Sequence, residues 1–250
     1  MALLQLTFSD VYTKVSEFLG LGSSPTGTDL TKVKDIVYRG YRQFLFPMHP
    51  RTGKAYIWSF RRRTRTLVTE ANKWVYELPE DFAPYLKRPT FIEGQNYPNP
   101  ELTSEQIIYN NRTADNTSSY PQYAAIRAGD YSPQTGQVYE LLFWPTPDAA
   151  YTYTYSYAFV PEKPVNDDDV FIGGAEASEC ILEMALAVAE TQEDDTIGIH
   201  NQKAQLMLAQ LINFDEKLAP PSVGLNVDPS MYEWWPGIHR PEYRIHDISY

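Results

Sequence analysis

The chain has 250 residues, 43% of them hydrophobic and 21% charged, which is enough to bury a real core without metal or disulfide staples. A single cysteine, Cys180, excludes an internal disulfide, and the run Met1-Ala2-Leu3-Leu4-Gln5-Leu6 is too short and too uncharged for a signal peptide. No apolar run approaches the roughly 20 residues that span a bilayer, so a soluble, cytoplasmically made protein without membrane contact is expected.

Charge is distributed unevenly. The net charge is −11, yet residues 1–73 hold 12 Lys+Arg against 5 Asp+Glu, while residues 74–250 hold 9 against 27. Such polarity can bring basic and acidic faces of neighbouring copies together, or turn one face toward nucleic acid while another repels it. Ordinary solubilising charge explains either half taken alone equally well.

In chain order, Thr7 or Ser9 is placed to cap a first helix whose apolar face is Phe8, Val11, Val15, Phe18 and Leu19, ended by Gly20 and Gly22. Thr28 or Asp29 can cap a second, with Leu30, Val33, Val37, Tyr41 and Phe44 as its stripe and Pro47 and Pro50 beyond it. Two helices so joined form a hairpin that cannot bury both apolar faces alone.

From Trp58 the period changes. Residues 61–69 carry no helical stripe and read as a strand or extended arm, with alternation sending Arg61, Arg63 and Arg65 to one side and Arg62 to the other. Further strands are expected at residues 74–78, 87–92, 123–127, 138–144 and 151–159, separated by Gly, Pro, Asn and Ser, with a helical turn within residues 101–109. The last strand alternates without a break and puts Tyr151, Tyr153, Tyr155 and Tyr157 on one face. With prolines bracketing it, that face is expected to turn toward a core.

Two late helices follow. The first carries the stripe Ala177, Ile181, Met184, Ala185 and Val188, with Glu176, Glu179, Glu183 and Glu190 mainly off it. Asp195 or Thr196 can cap the second, which faces Ile197, Ala204, Leu208 and Leu211 inward. The expected fold is therefore α+β: a bundle of N-terminal (1–57) and C-terminal (166–217) helix hairpins, an inserted antiparallel β-rich domain (58–165), and an extended arm (218–250). That arm holds Trp234, Trp235, Tyr243 and Tyr250, too aromatic for an ordinary disordered tail.

No catalytic constellation stands out. Asp167, Asp168 and Asp169 fit no calcium loop, His49, His200, His239 and His246 have no ligand spacing with Cys180, and no phosphate loop or nucleophile elbow is present. No catalytic, metal or cofactor residue is assigned. Cys180 reads as a packed thiol. The run Arg61-Arg62-Arg63-Thr64-Arg65 is the main interface candidate, as a backbone-like contact to phosphate or to an acidic neighbour, against the alternative of a charge-protected edge strand.

Four segments resemble the head-to-tail adaptors of tailed bacteriophages, including the tail tubular protein A group of short-tailed phages. They are the opening helix Leu6-Thr7-Phe8-Ser9-Asp10-Val11-Tyr12, Ile57-Trp58-Ser59-Phe60, Tyr76-Glu77-Leu78-Pro79-Glu80-Asp81-Phe82, and Phe143-Trp144-Pro145-Thr146-Pro147-Asp148-Ala149-Ala150-Tyr151-Thr152. The resemblance implies a homo-oligomeric ring, commonly twelve-fold, between the portal protein and a tail nozzle or other tail protein in the virion, with double-stranded DNA passing through it. Glu176, Glu179, Glu183 and Glu190 are then candidate channel-facing acids. Arg61, Arg62, Arg63, Arg65, Trp234, Trp235, Tyr243 and Tyr250 are candidate contacts with neighbours. A carbohydrate- or cell-surface-binding module, stacking sugars on exposed aromatics, is the alternative, and an acidic hydrolase with converging carboxylates is a third reading.

Overall fold

In a computed structural model of the chain, the described residues are 4–86, 89–91, 97–134, 136–194 and 198–218. The chain divides into two compact units, Met1–Ile212 and Asn213–Tyr250; of the second, the described part is the end of the last helix. The first unit is α+β.

Helix α1 spans Phe8–Phe18. Its start is held twice over. Thr7 and Asp10 form a reciprocal capping box, and the next two free N–H groups, of Phe8 and Ser9, donate to the carbonyls of Asp169 (2.8 Å) and Asp167 (3.0 Å). The aspartate run thus supplies backbone acceptors to a distant helix end. Phe8, Val11 and Val15 are buried as expected, whereas Phe18 is 41% exposed.

Helix α2 spans Gly27–Leu45, beginning ahead of the expected caps Thr28 and Asp29; Thr26 occupies the cap position without a side-chain hydrogen bond, and Gly27 takes φ +57°. Val33, Ile36, Val37, Gly40, Tyr41, Phe44 and Leu45 are buried. Helix α4 (Gly174–Asp194) runs against it closely enough that a Cβ on Gly40 would lie 2.6 Å from the Ala185 backbone nitrogen. Residues of α1, α2, α4 and α5 (Ile199–Leu218) share one core with Trp58 and Phe171. Trp58 stacks on Phe44 with ring centroids 5.0 Å apart and donates from its indole N–H to the Phe44 carbonyl at 2.8 Å.

A second core lies between two sheets. The first sheet orders β1 (Arg62–Val68), β8 (Thr152–Phe159) and β3 (Phe82–Leu86), with β4 (Thr90–Phe91) also pairing β8. The second orders β2 (Val75–Glu77), β7 (Gly136–Trp144), β6 (Tyr123–Ser132) and β5 (Glu101–Leu102). All pairings are antiparallel except β5–β6, which is parallel, a departure from the antiparallel expectation. The helical turn expected within residues 101–109 is instead β5 followed by a longer helix, α3 (Glu105–Ala114), and this helical connection lets β5 and β6 run parallel. Within the strand expected at 87–92, Thr90–Phe91 is strand (β4), while Lys87, Arg88 and Ile92 lie outside the described residues; β3 precedes it.

Tyr151, Tyr153, Tyr155 and Tyr157 all face inward and are at most 7% exposed. They pack with Tyr76, Leu78, Phe82, Leu141 and Phe143, Tyr153 lying stacked on Phe143 at 5.2 Å. The tyrosine face is therefore core, as its alternation requires. It is closed to sugars.

Candidate assembly surfaces

The arginine run is built by two different conformations. Ser59–Arg61 forms a single 3-10 turn, so Arg61 does not join the strand alternation that follows. It is 3% exposed, donating from Nε to the Phe159 carbonyl (3.0 Å) and from a terminal nitrogen to the Leu45 carbonyl (2.7 Å), with Phe46 stacked 4.4 Å away. Burial lowers its pKa from the usual guanidinium value. The expectation of Arg61 as a surface contact is thus corrected: it ties the end of α2 to the end of β8 from inside.

Arg62 is half-buried and donates to the Ile57 carbonyl at 3.2 Å. Arg63 is exposed and pairs with Asp81 at 2.8 Å while stacking over Phe159 at 3.7 Å; Asp81 also accepts the Tyr157 hydroxyl at 3.0 Å. Arg65 is exposed beside it. Of the four expected arginines, Arg63 and Arg65 are brought together, on the wall of an open groove of about 680 Å³.

The same groove carries acids. Glu77, Glu80 and Asp81, from the end of β2 and the turn into β3, and Glu162, beyond β8, line it with the two arginines, together with Leu67, Leu78, Pro79 and Tyr155. Four carboxylates against two guanidinium groups leave it net negative. A phosphate backbone is a poor match for that field. Sequence reading missed these acids because the fourth lies 82 positions beyond Glu80, and they meet the arginines only once β8 has paired with β1 on one side and β3 on the other.

The late acids divide similarly. Glu183 accepts from the His200 ring at 2.7 Å and lies 3.8 Å from Lys203. Glu190 receives the backbone N–H groups of Ile199 (3.1 Å) and His200 (3.2 Å), so it caps α5, where the helix dipole favours an anion. The expected caps Asp195 and Thr196 lie outside the described residues. Glu176 and Glu179 remain exposed on the first turns of α4. Trp234, Trp235, Tyr243 and Tyr250 also lie outside the described residues.

Cys180 is buried, its Sγ 3.9 Å from the Ala204 carbonyl, and desolvation pushes the thiol up to about 12. Among the described residues there is no group of three or more His, Cys, Asp or Glu side chains able to hold a metal, and no helix long and apolar enough to cross a membrane.

The described residues thus build an α+β protein with one core among its helices and another between its two sheets. The sequence signature of the SU10 adaptor protein family matches residues 6–224, and the chain belongs to that family. It is accordingly a phage head-to-tail adaptor, a structural component of the virion that associates with other virion proteins. No curated protein matches the sequence.

Proposed function

We propose that the chain forms a ring, twelve-fold as in the adaptors it resembles, joining the portal protein to a tail nozzle or other tail protein around the path of the DNA. Within the adaptors, we take it to resemble the tail tubular protein A group. The family match across residues 6–224 carries the reading. Its helix pairs (1–57 and 166–217) form the bundle, the β-rich segment (58–165) is an insertion, and residues 218–250 are the docking arm.

The acid-rich stretch 166–216, with 12 acids and one base, faces the channel and repels the duplex so that it slides without being gripped. Glu176 and Glu179 act there directly, because Glu183 and Glu190 are already engaged in joining α4 to α5. Electron microscopy of the phage particle tests this: copies should encircle the axis between portal and tail, with α4 inward. Copies placed on a fibre, or α4 on the outer wall, overturn the ring or the channel assignment respectively.

A further inference from the structure

An antiparallel pair turns the backbone groups of every second residue toward the partner strand and those between them away from it. The direction can be read along β1. Thr69 continues the register of β1 with β8, and its N–H donates to the Tyr151 carbonyl at 2.8 Å. Leu67, Arg65 and Arg63 therefore also point their N–H and C=O groups at β8, while Val68, Thr66 and Thr64 point theirs outward. The other side of β8 agrees, since the Val160 N–H donates toward β3, to the Asp81 carbonyl, at 2.8 Å. Strand β1 pairs with β8 alone, and the Arg62 N–H is turned back onto the Ser59 carbonyl. Among the described residues nothing hydrogen-bonds the outward backbone groups of Thr64, Thr66 and Val68, and all three residues are exposed.

Natural sheets blunt such an edge with bulges, prolines or charges. Strand β1 keeps an unbroken register with β8 from Arg62 to Val68 and contains no proline. Its exposed arginines turn away from the outer face. Arg63, Arg65 and Leu67 stand opposite Tyr157, Tyr155 and Tyr153 and share their inward face, leaving the uncharged, strand-favouring Thr64, Thr66 and Val68 on the outer one. An unpaired strand of this kind is a template for an added strand.

The chemistry of the partner follows from the lining. Thr66 lines the groove that holds Arg65, Glu77, Glu80 and Glu162, so the open edge and the charges form one site. Arg63 is neutralised by Asp81, whereas Glu80 and Glu162 enter no salt bridge among the described residues. Three carboxylates against the one remaining guanidinium, that of Arg65, favour a strand with Lys or Arg on its groove side and an apolar residue to meet Leu67.

We propose that the outward edge of β1 accepts an extended cationic segment of another virion protein as an added strand, its backbone pairing with Thr64, Thr66 and Val68 and its Lys or Arg side chains meeting Glu77, Glu80 and Glu162. This goes beyond the ring reading and does not depend on it, because the edge belongs to a single copy.

The test uses the full isotope-labelled chain and the synthetic peptide Thr-Lys-Thr-Val-Thr-Lys-Thr, capped at both ends, whose sequence reads the same in either strand direction. Amide hydrogen exchange followed by NMR should show Thr64, Thr66 and Val68 unprotected in the chain alone and slowed roughly fivefold or more as the peptide saturates, with Arg63, Arg65 and Leu67 protected throughout. Replacing both lysines of the peptide by glutamate should weaken binding roughly tenfold or more, and Glu77→Lys with Glu80→Lys should reverse that preference. Thr66→Pro removes an outward N–H without touching the ladder to β8, so it should abolish binding while leaving circular dichroism unchanged. Protection of the Thr64, Thr66 and Val68 amides in the isolated chain, equal affinity for the two peptides, or binding that survives Thr66→Pro would each overturn the proposal. Protection that appears only as the chain self-associates would assign the edge to a second copy, and protection by a DNA duplex in place of the peptide would assign it to nucleic acid; either result removes the proposed partner. Particle microscopy reads the ring separately, so a ring without peptide binding sinks this inference alone.

Discussion

Replacing Gly40 by alanine sets two opposed effects against each other. In an exposed helix the change stabilises by about 1 kcal/mol, because glycine loses more backbone freedom on folding. Here the added methyl would lie 2.6 Å from the Ala185 nitrogen, 2.8 Å from the Ala185 Cα and 3.0 Å from the Met184 carbonyl carbon. These are backbone atoms of α4 and cannot rotate away. Carbon contacts relax to roughly 3.5–4 Å, so α4 must retreat by about 1 Å along a helix buried on most of its faces. Overpacking of that kind costs about 1–3 kcal/mol. The backbone placement of the clash favours the upper end, giving a net loss of roughly 1–2 kcal/mol after the helix gain. Urea unfolding should show a lower midpoint with an unchanged slope, most clearly in the fluorescence of Trp58, which lies in the same core. A raised midpoint would mean that the helices do not approach as described.

The internal role of Arg61 predicts that Arg61→Ala leaves the Leu45 and Phe159 carbonyls without their charged donor and costs roughly 2–4 kcal/mol in urea unfolding. Arg65→Ala, on the exposed groove wall, should shift the midpoint by about 0.5 kcal/mol or less. Thr7→Ala removes half of the capping box and should cost about 1 kcal/mol; no loss would mean that the Asp167 and Asp169 carbonyls suffice. Cys180 should react with a thiol reagent near neutral pH only after denaturant is added, and rapid labelling of the folded chain would contradict its burial. Tyr153, Tyr155 and Tyr157 have pKa values raised by burial above 10.0, so folding keeps them protonated after the unfolded chain has begun to ionise. Their contribution is complete below pH 10 and is lost as pH rises toward the folded values, so alkaline unfolding should coincide with an abrupt rise in tyrosinate absorbance.

Local periodicity made the helix stripes and the tyrosine strand legible, because burial there follows from spacing along one element. Val33, Val37, Tyr41 and Phe44 on α2, and Ala177, Ile181, Met184, Ala185 and Val188 on α4, are buried as their spacing demands. Gly40 showed no such signal. Its meaning lies in Ala185, 145 positions away, and no pattern within α2 carries it. Arg61 was misread because alternation holds only once a strand has begun, and the 3-10 turn delays that start by one residue. The groove acids were hidden for a third reason: β1 and β8, far apart in sequence, must pair before Glu162 comes near Arg65.

Charge asymmetry along the sequence overstates the asymmetry available to partners, because folding uses much of it internally. Arg61 holds two carbonyls, Arg63 is paired with Asp81, Glu183 engages His200 and Lys203, and Glu190 and the Asp167 and Asp169 backbone secure helix starts. The exposed members of the arginine run, Arg63 and Arg65, consequently line a net-negative groove. A phosphate backbone gains little from such a surface, which offers more carboxylates than guanidinium groups and some apolar lining. The charges left after the internally satisfied ones are subtracted, rather than the totals, therefore set the field that the arginine strand presents.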